Sequence, residues 1–129
     1  KHQKISVIGR SLGSGVAVYL ASKRPLNKLA LITPYDSIKS LGQSKFIIFP
    51  VFLLLKDKYD SLRRVKHIQA QTIALVAEND EVIPNKHSLR LINEFPPEQI
   101  TAITINNSGH NDISYKEEYY QHLKDFFNY

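Results

Sequence analysis

Apolar residues in this chain come in short runs separated by turns rich in glycine, proline and asparagine. Ile5–Ile8 is mostly β-branched and predicts a strand. Leu29–Thr33 is a continuous apolar run, the pattern of a parallel strand covered on both faces, and Pro34 ends it. Thr72–Ala77 predicts a third strand, and Ile100–Ile105, alternating isoleucine with Thr101, Ala102 and Thr104, a fourth. Helical spacing fills the gaps. Ser14–Lys23 predicts a helix with small residues at Gly15, Ala17 and Ala21 for close packing on a sheet; Lys23 and Arg24 suit its C-terminal end and Pro25 stops it. Asp60–Ile68 places Leu62, Val65 and Ile68 at helical spacing. Lys86–Glu94 carries Leu89, Leu91 and Ile92 as its apolar set before Pro96 and Pro97. Tyr115–Phe127 is amphipathic, with Tyr119, Leu123 and Phe126 or Phe127 on one side.

Strands alternating with helices predict an α/β fold, a parallel sheet with helices on both faces. Crossovers between parallel strands are right-handed, so the turns that follow the strands gather at one edge of the sheet. One stretch breaks the alternation. Phe46–Leu55 is apolar all round and interrupted by Pro50, within an excursion over residues 34–68. It is too short to cross a bilayer. A pocket-lining excursion, a lid and a membrane-surface contact compete for it; the expectation is an excursion lining or covering a pocket, because small-molecule pockets are mostly apolar.

The chain has 129 residues, enough for one core, and 43% hydrophobic with 22% charged residues excludes intrinsic disorder. With no cysteine there is no disulfide, thiolate nucleophile or cysteine metal site. No signal-like or membrane-spanning run stands out, which leaves a cytoplasmic or membrane-associated setting open. A net charge of +5 invites a nucleic-acid reading, but the basic residues are scattered and no RNA-binding aromatic pattern interleaves them, so no nucleic-acid partner is expected. Histidines lack metal-binding spacing and the glycines lack nucleotide-binding spacing, so neither metal nor other cofactor is expected.

Candidate chemistry lies in three of the post-strand turns. Gly9-Arg10-Ser11-Leu12-Gly13 joins the first strand to the first helix, putting a serine at the apex of a sharp turn. The glycines at 9 and 13 are expected where side chains would collide. The Leu12 amide then points from the helix N-terminus toward a developing oxyanion. Asp80 follows the third strand in Ala77-Glu78-Asn79-Asp80, and His110 follows the fourth in Ser108-Gly109-His110. Serine needs a neighbouring base to act as a nucleophile, histidine titrates near neutrality, and a carboxylate at its other nitrogen fixes the tautomer.

With these motifs, in the order Ser, Asp, His, the chain resembles the C-terminal half of the α/β-hydrolase superfamily over essentially its whole length. The G-R-S-L-G-S-G form of the elbow looks like the serine-hydrolase branch related to membrane-associated lipid hydrolases. The resemblance implies Ser11 as nucleophile, His110 as base, Asp80 as its partner, Leu12 as one oxyanion donor, and a small-molecule ester, thioester or amide as acyl substrate. It also implies that the strand and loop bearing the second oxyanion donor precede Lys1. The piece alone is then expected to be weakly active or inactive. Its first strand is expected to be an apolar edge that pairs with a missing N-terminal half or a second copy. The alternative is a non-catalytic binding or scaffolding module on the same fold.

Rivals are weighed by position. His2 lies at the end of the chain, and His67, His87 and His122 fall in helical stretches beside charged residues, where solvent exposure is expected. Asp36 also follows a strand, with helix capping as its expected role; Asp112, Glu78 and Glu81 are further rival acids. Arg10 is expected to be a surface charge ahead of a contact to an anionic substrate, and Ser14 to support the helix start.

Overall fold

Four strands pair in parallel in the order β1-β2-β3-β4: β1 Val7–Arg10, β2 Lys28–Ile32, β3 Gln71–Ala77 and β4 Ile100–Ile105. The architecture is that of a computed structural model describing residues 4–42 and 60–128. Register runs Gly9 to Leu31, Leu31 to Ala74 and Ala74 to Ala102. The sheet is the expected α/β arrangement, and the post-strand turns share one rim.

Side chains alternate across a strand, and each face has its own helical cover. Leu29 and Leu31 pack with Ala17, Val18 and Ala21 of α1 (Leu12–Lys23) and with Leu91 of α4 (Asn85–Glu94). Val65 and Ile68 join that cluster. They lie in the 3-10 turn Val65–His67 after α3 (Ser61–Arg64) and at its end. Ala30, Ile32, Ile73, Leu75 and Ala77 face the other way, onto Tyr119, Leu123, Phe126 and Phe127 of α5 (Glu117–Phe127). Burying each large aliphatic of these clusters stabilises the fold by about 1.5–3 kcal/mol. A smaller cluster of Tyr35, Ile38, Leu41 and Ile83 sits with Leu12, tying α2 (Ile38–Gly42) to the start of α1.

Several expectations need correction. The first strand is shifted toward the turn, so that Ile5 falls before β1 and is exposed, as is Ile8 on that edge strand of the described sheet. In α4 the buried face is His87, Ser88, Leu91 and Ile92, whereas Leu89 is exposed. The last helical stretch is divided: Ile113–Tyr115 is a 3-10 turn, and α5 follows. Ser14 is buried, and its hydroxyl has no partner among the described residues, so its side chain does not cap α1. Phe46–Leu55 lies outside the described residues.

The two elbow glycines also differ. A Cβ on Gly9 would stand 2.5 Å from Ala17 Cβ and 2.7 Å from the Gly13 carbonyl oxygen, so only glycine lets α1 lie this close to β1. A Cβ on Gly13 meets nothing within 4 Å, contrary to the expected collision. Gly9→Ala should therefore destabilise the protein by about 3 kcal/mol, whereas Gly13→Ala, in a helix with open space around it, should leave stability unchanged or raise it by up to about 1 kcal/mol. Paired urea unfolding curves measure the difference.

Candidate active site

Ser11 links β1 to α1 with φ 52° and ψ −122°, a conformation that side-chain-bearing residues rarely adopt. Its amide donates to the Ile32 carbonyl at 2.8 Å, which fixes the turn against β2. The strain of such a backbone costs about 1–3 kcal/mol and lifts the hydroxyl off the sheet. Leu12 opens α1, in the turn whose amides have no helical carbonyl to bond.

Ser11 Oγ lies 2.8 Å from His110 Nε2. His110 Nδ1 lies 3.1 and 3.0 Å from the two oxygens of Asp80. A ring nitrogen facing a carboxylate carries the proton, so Nδ1–H donates to Asp80 and Nε2 is left to accept from the serine hydroxyl. Asp80 is itself held: Oδ1 accepts from the amides of Val82 at 2.9 Å and Ile83 at 2.7 Å. The His110 and Asp80 side chains are buried, with 8% and 1% of their surface exposed, so water competes little for these bonds. The set is able to move one proton between a hydroxyl and an imidazole whose charged form a carboxylate stabilises.

The rival acids are occupied elsewhere. Glu78 Oε2 accepts from the Asn107 amide at 2.7 Å, and Asp112 Oδ1 from the Gly109 amide at 2.6 Å. The Glu81 carboxylate stands against Gly109. Arg10 is not a bare surface charge: its guanidinium donates to the loop that carries His110. Of the other histidines, His67 is exposed, His122 half-buried, and His2 outside the described residues.

A second aspartate–histidine pair went unread in the sequence. His87 is 4% exposed, and its Nδ1 lies 3.0 Å from Asp36 Oδ1 and 3.2 Å from Ser40 Oγ. Asp36 also accepts from the Ser37 amide at 2.9 Å and meets Arg90 Nη1 at 3.4 Å. The helix-capping role belongs instead to Ser37, whose Oγ accepts from the Ser40 amide at 3.0 Å. His87 Nε2 has no partner among the described residues. The signal was available: His87 is four residues before Leu91, on the same helical face. Thr33, buried at φ 47° with no partner for its hydroxyl among the described residues, carries no such signal in the sequence. Among titratable groups, Tyr119 has its pKa raised by burial, with the Arg10 cation pulling it back and Tyr120 adding to the rise. Among the described residues no group of acids and histidines could hold a metal ion, and no helix is long and apolar enough to cross a membrane.

No family model matches the chain. It is 32% identical over 109 residues to the uncharacterized protein Rv2307c of Mycobacterium tuberculosis, covering 84% of this chain and 38% of the relative. It is 27% identical over 126 residues to the alpha/beta hydrolase domain-containing protein aho-3 of Caenorhabditis elegans, covering 96% of this chain and 36% of the relative. The chain thus spans well under half the length of these curated relatives. Among solved structures, MGS-MChE2, an alpha/beta hydrolase enzyme from a lagoon-sediment metagenome, superimposes with a TM-score of 0.76 at 17% identity, over 98% of this chain and 62% of that one.

The Asp36–His87 pair makes a stability prediction separate from the chemistry at Ser11. Asp36→Ala strips a buried imidazole of its acceptor and should cost about 3 kcal/mol. Paired urea unfolding curves of the two proteins measure the loss.

Proposed function

This chain belongs to the α/β-hydrolase superfamily, and from that we propose that the protein is a serine hydrolase that cleaves a carboxylic ester, thioester or amide through an acyl-enzyme. Supporting the reading is one observation, the unbroken line from Asp80 through His110 to Ser11 with contacts of 3.0 and 2.8 Å. In the proposed reaction Ser11 Oγ attacks the acyl carbon while its proton passes to His110 Nε2. Asp80 stabilises the imidazolium. The tetrahedral oxyanion is met by the Leu12 amide, where the dipole of α1 adds to the bond. Collapse breaks the bond to the leaving group, which takes the proton from Nε2. Water, deprotonated by the same nitrogen, then releases the acid and frees Ser11.

The acyl substrate is a small molecule, and the reaction as drawn needs no cofactor. We also propose that the exposed edge of β1, where Ile8 is 54% exposed, pairs with further polypeptide of the kind that the longer relatives carry.

A fluorophosphonate probe applied to the full-length protein should label Ser11. Ser11→Ala should lose the label, and Ser11→Ala and His110→Ala should each lower turnover of p-nitrophenyl acetate by about 10⁴-fold or more. Asp80→Asn should cost about 10⁴-fold by favouring the wrong tautomer. Undiminished turnover by the Ser11→Ala protein would rule the acyl-enzyme out.

A further inference from the structure

We propose that Arg10 is a positioning residue for His110, its guanidinium holding the imidazole-bearing loop over the serine. The inference rests on the reading of His110 as the base.

The need arises from strand order. Ser11 follows β1 and His110 follows β4, the opposite edge of the described sheet, so three strand spacings, about 14 Å, separate their strands. The loop after β4 has to fold back along the rim to bring Nε2 within 2.8 Å of Ser11 Oγ. Its base is well secured to the end of β3. The Glu78 amide donates to the Ile105 carbonyl at 3.1 Å and the Asn79 amide to the Ser108 carbonyl at 2.8 Å. Asn107 donates its amide to Glu78 Oε2. The far end of the loop is what must sit still for proton transfer.

Arg10 reaches that end from the β1 side. Its Nη2 donates to the carbonyl oxygens of His110 at 3.1 Å and Asn111 at 3.3 Å, and its Nη1 to Ser114 Oγ at 3.3 Å. Arg10 is the residue before Ser11, so one peptide bond joins the anchor of the hydroxyl to the anchor of the imidazole. A guanidinium is well suited to such bridging. It is always charged, planar, and presents several donors in a fixed fork, and bonds from an ionised donor are about twice as strong as neutral ones. A lysine ammonium offers a point charge with no fork.

Exposure separates this role from a structural one. Arg10 is exposed, so its polar contacts add little to global stability. Imidazole placement is far more sensitive, since a misplacement of about 1 Å costs about a hundredfold in rate. Loss of Arg10 should therefore fall on kcat and leave unfolding nearly unchanged.

The test uses the full-length protein, p-nitrophenyl acetate as substrate, and the variants Arg10→Met, Arg10→Lys, Ser114→Ala, His110→Ala and the double variant Arg10→Met/His110→Ala. Arg10→Met should lower kcat by about 10- to 100-fold with KM and the urea midpoint hardly moved. Arg10→Lys should recover part of the loss, and Ser114→Ala should give the same split at smaller amplitude. In the His110→Ala background, Arg10→Met should cost nothing further, because its effect passes through the imidazole. A kcat within twofold of wild type in both Arg10→Met and Ser114→Ala overturns the proposal, as does an undiminished Arg10→Met loss in the absence of His110. A His110→Ala protein as active as wild type marks the separate failure of the underlying reading.

Discussion

Parallel pairing is the constraint on which the rest depends. In a parallel sheet every strand ends at the same rim, and Ser11, Thr33, Glu78 and Asn106 are the first residues beyond the four strands. An antiparallel arrangement of the same segments would send alternate turns to opposite rims and divide the hydroxyl from the imidazole. The paired register and two apolar faces hold that rim together: Leu29 and Leu31 are locked under α1, and Ala30 and Ile32 over α5. Nothing at the site itself needs to hold the strands; the core does it from below.

Shared rim position does not by itself select chemistry, and the two aspartate–histidine pairs demonstrate this. Asp36 and Asp80 each follow a strand and each meets the Nδ1 of a histidine at about hydrogen-bond distance, 3.0 Å in both cases. The difference lies at the other ring nitrogen. His110 Nε2 faces a hydroxyl on a strained turn, whereas His87 Nε2 finds no partner among the described residues, and its nearby serine, Ser40, crowds the same Nδ1 that Asp36 occupies. Ser40 sits within α2, without the backbone strain that presents Ser11. The second pair reads as a buried brace between the loop after β2 and the first turn of α4.

The parts that could be read from the sequence are those written in local pattern. A run such as Leu29–Ile32 has to be buried, and the alternation of such runs with helical segments leads to the parallel sheet. Ser11, Asp80 and His110 are readable as a set because each lies in a short polar turn after such a run. What could not be read depends on distant neighbours. Leu89 and His87 invert hydropathy, since a leucine is exposed and a histidine buried once Asp36 supplies a partner 51 residues away in sequence. Arg10 looks like a surface charge until the loop a hundred residues later folds back onto it. Gly13 and Gly9 are identical as letters, and the close approach of Ala17 and of the α1 backbone to Gly9 alone distinguishes them.

The start of α1 carries a local cost that fits this arrangement. Gly13 and Gly15 are poor helix formers, each less favourable than alanine by about 1 kcal/mol in a helix interior, and Ser11 adds a strained backbone immediately before them. A helix built for stability alone would not begin this way. Further along, Ala17, Val18 and Ala21 are buried against the sheet, so the apolar contacts that hold α1 lie mainly beyond its first turn. Gly9 permits close approach just where Ala17 descends onto β1. The strained serine thus sits between a strand secured in the sheet and a helix secured by its later turns. On the proposed reading, that separation of anchor from apex is what lets the Ser11 hydroxyl and the Leu12 amide stand at the rim without being buried in the packing that supports them.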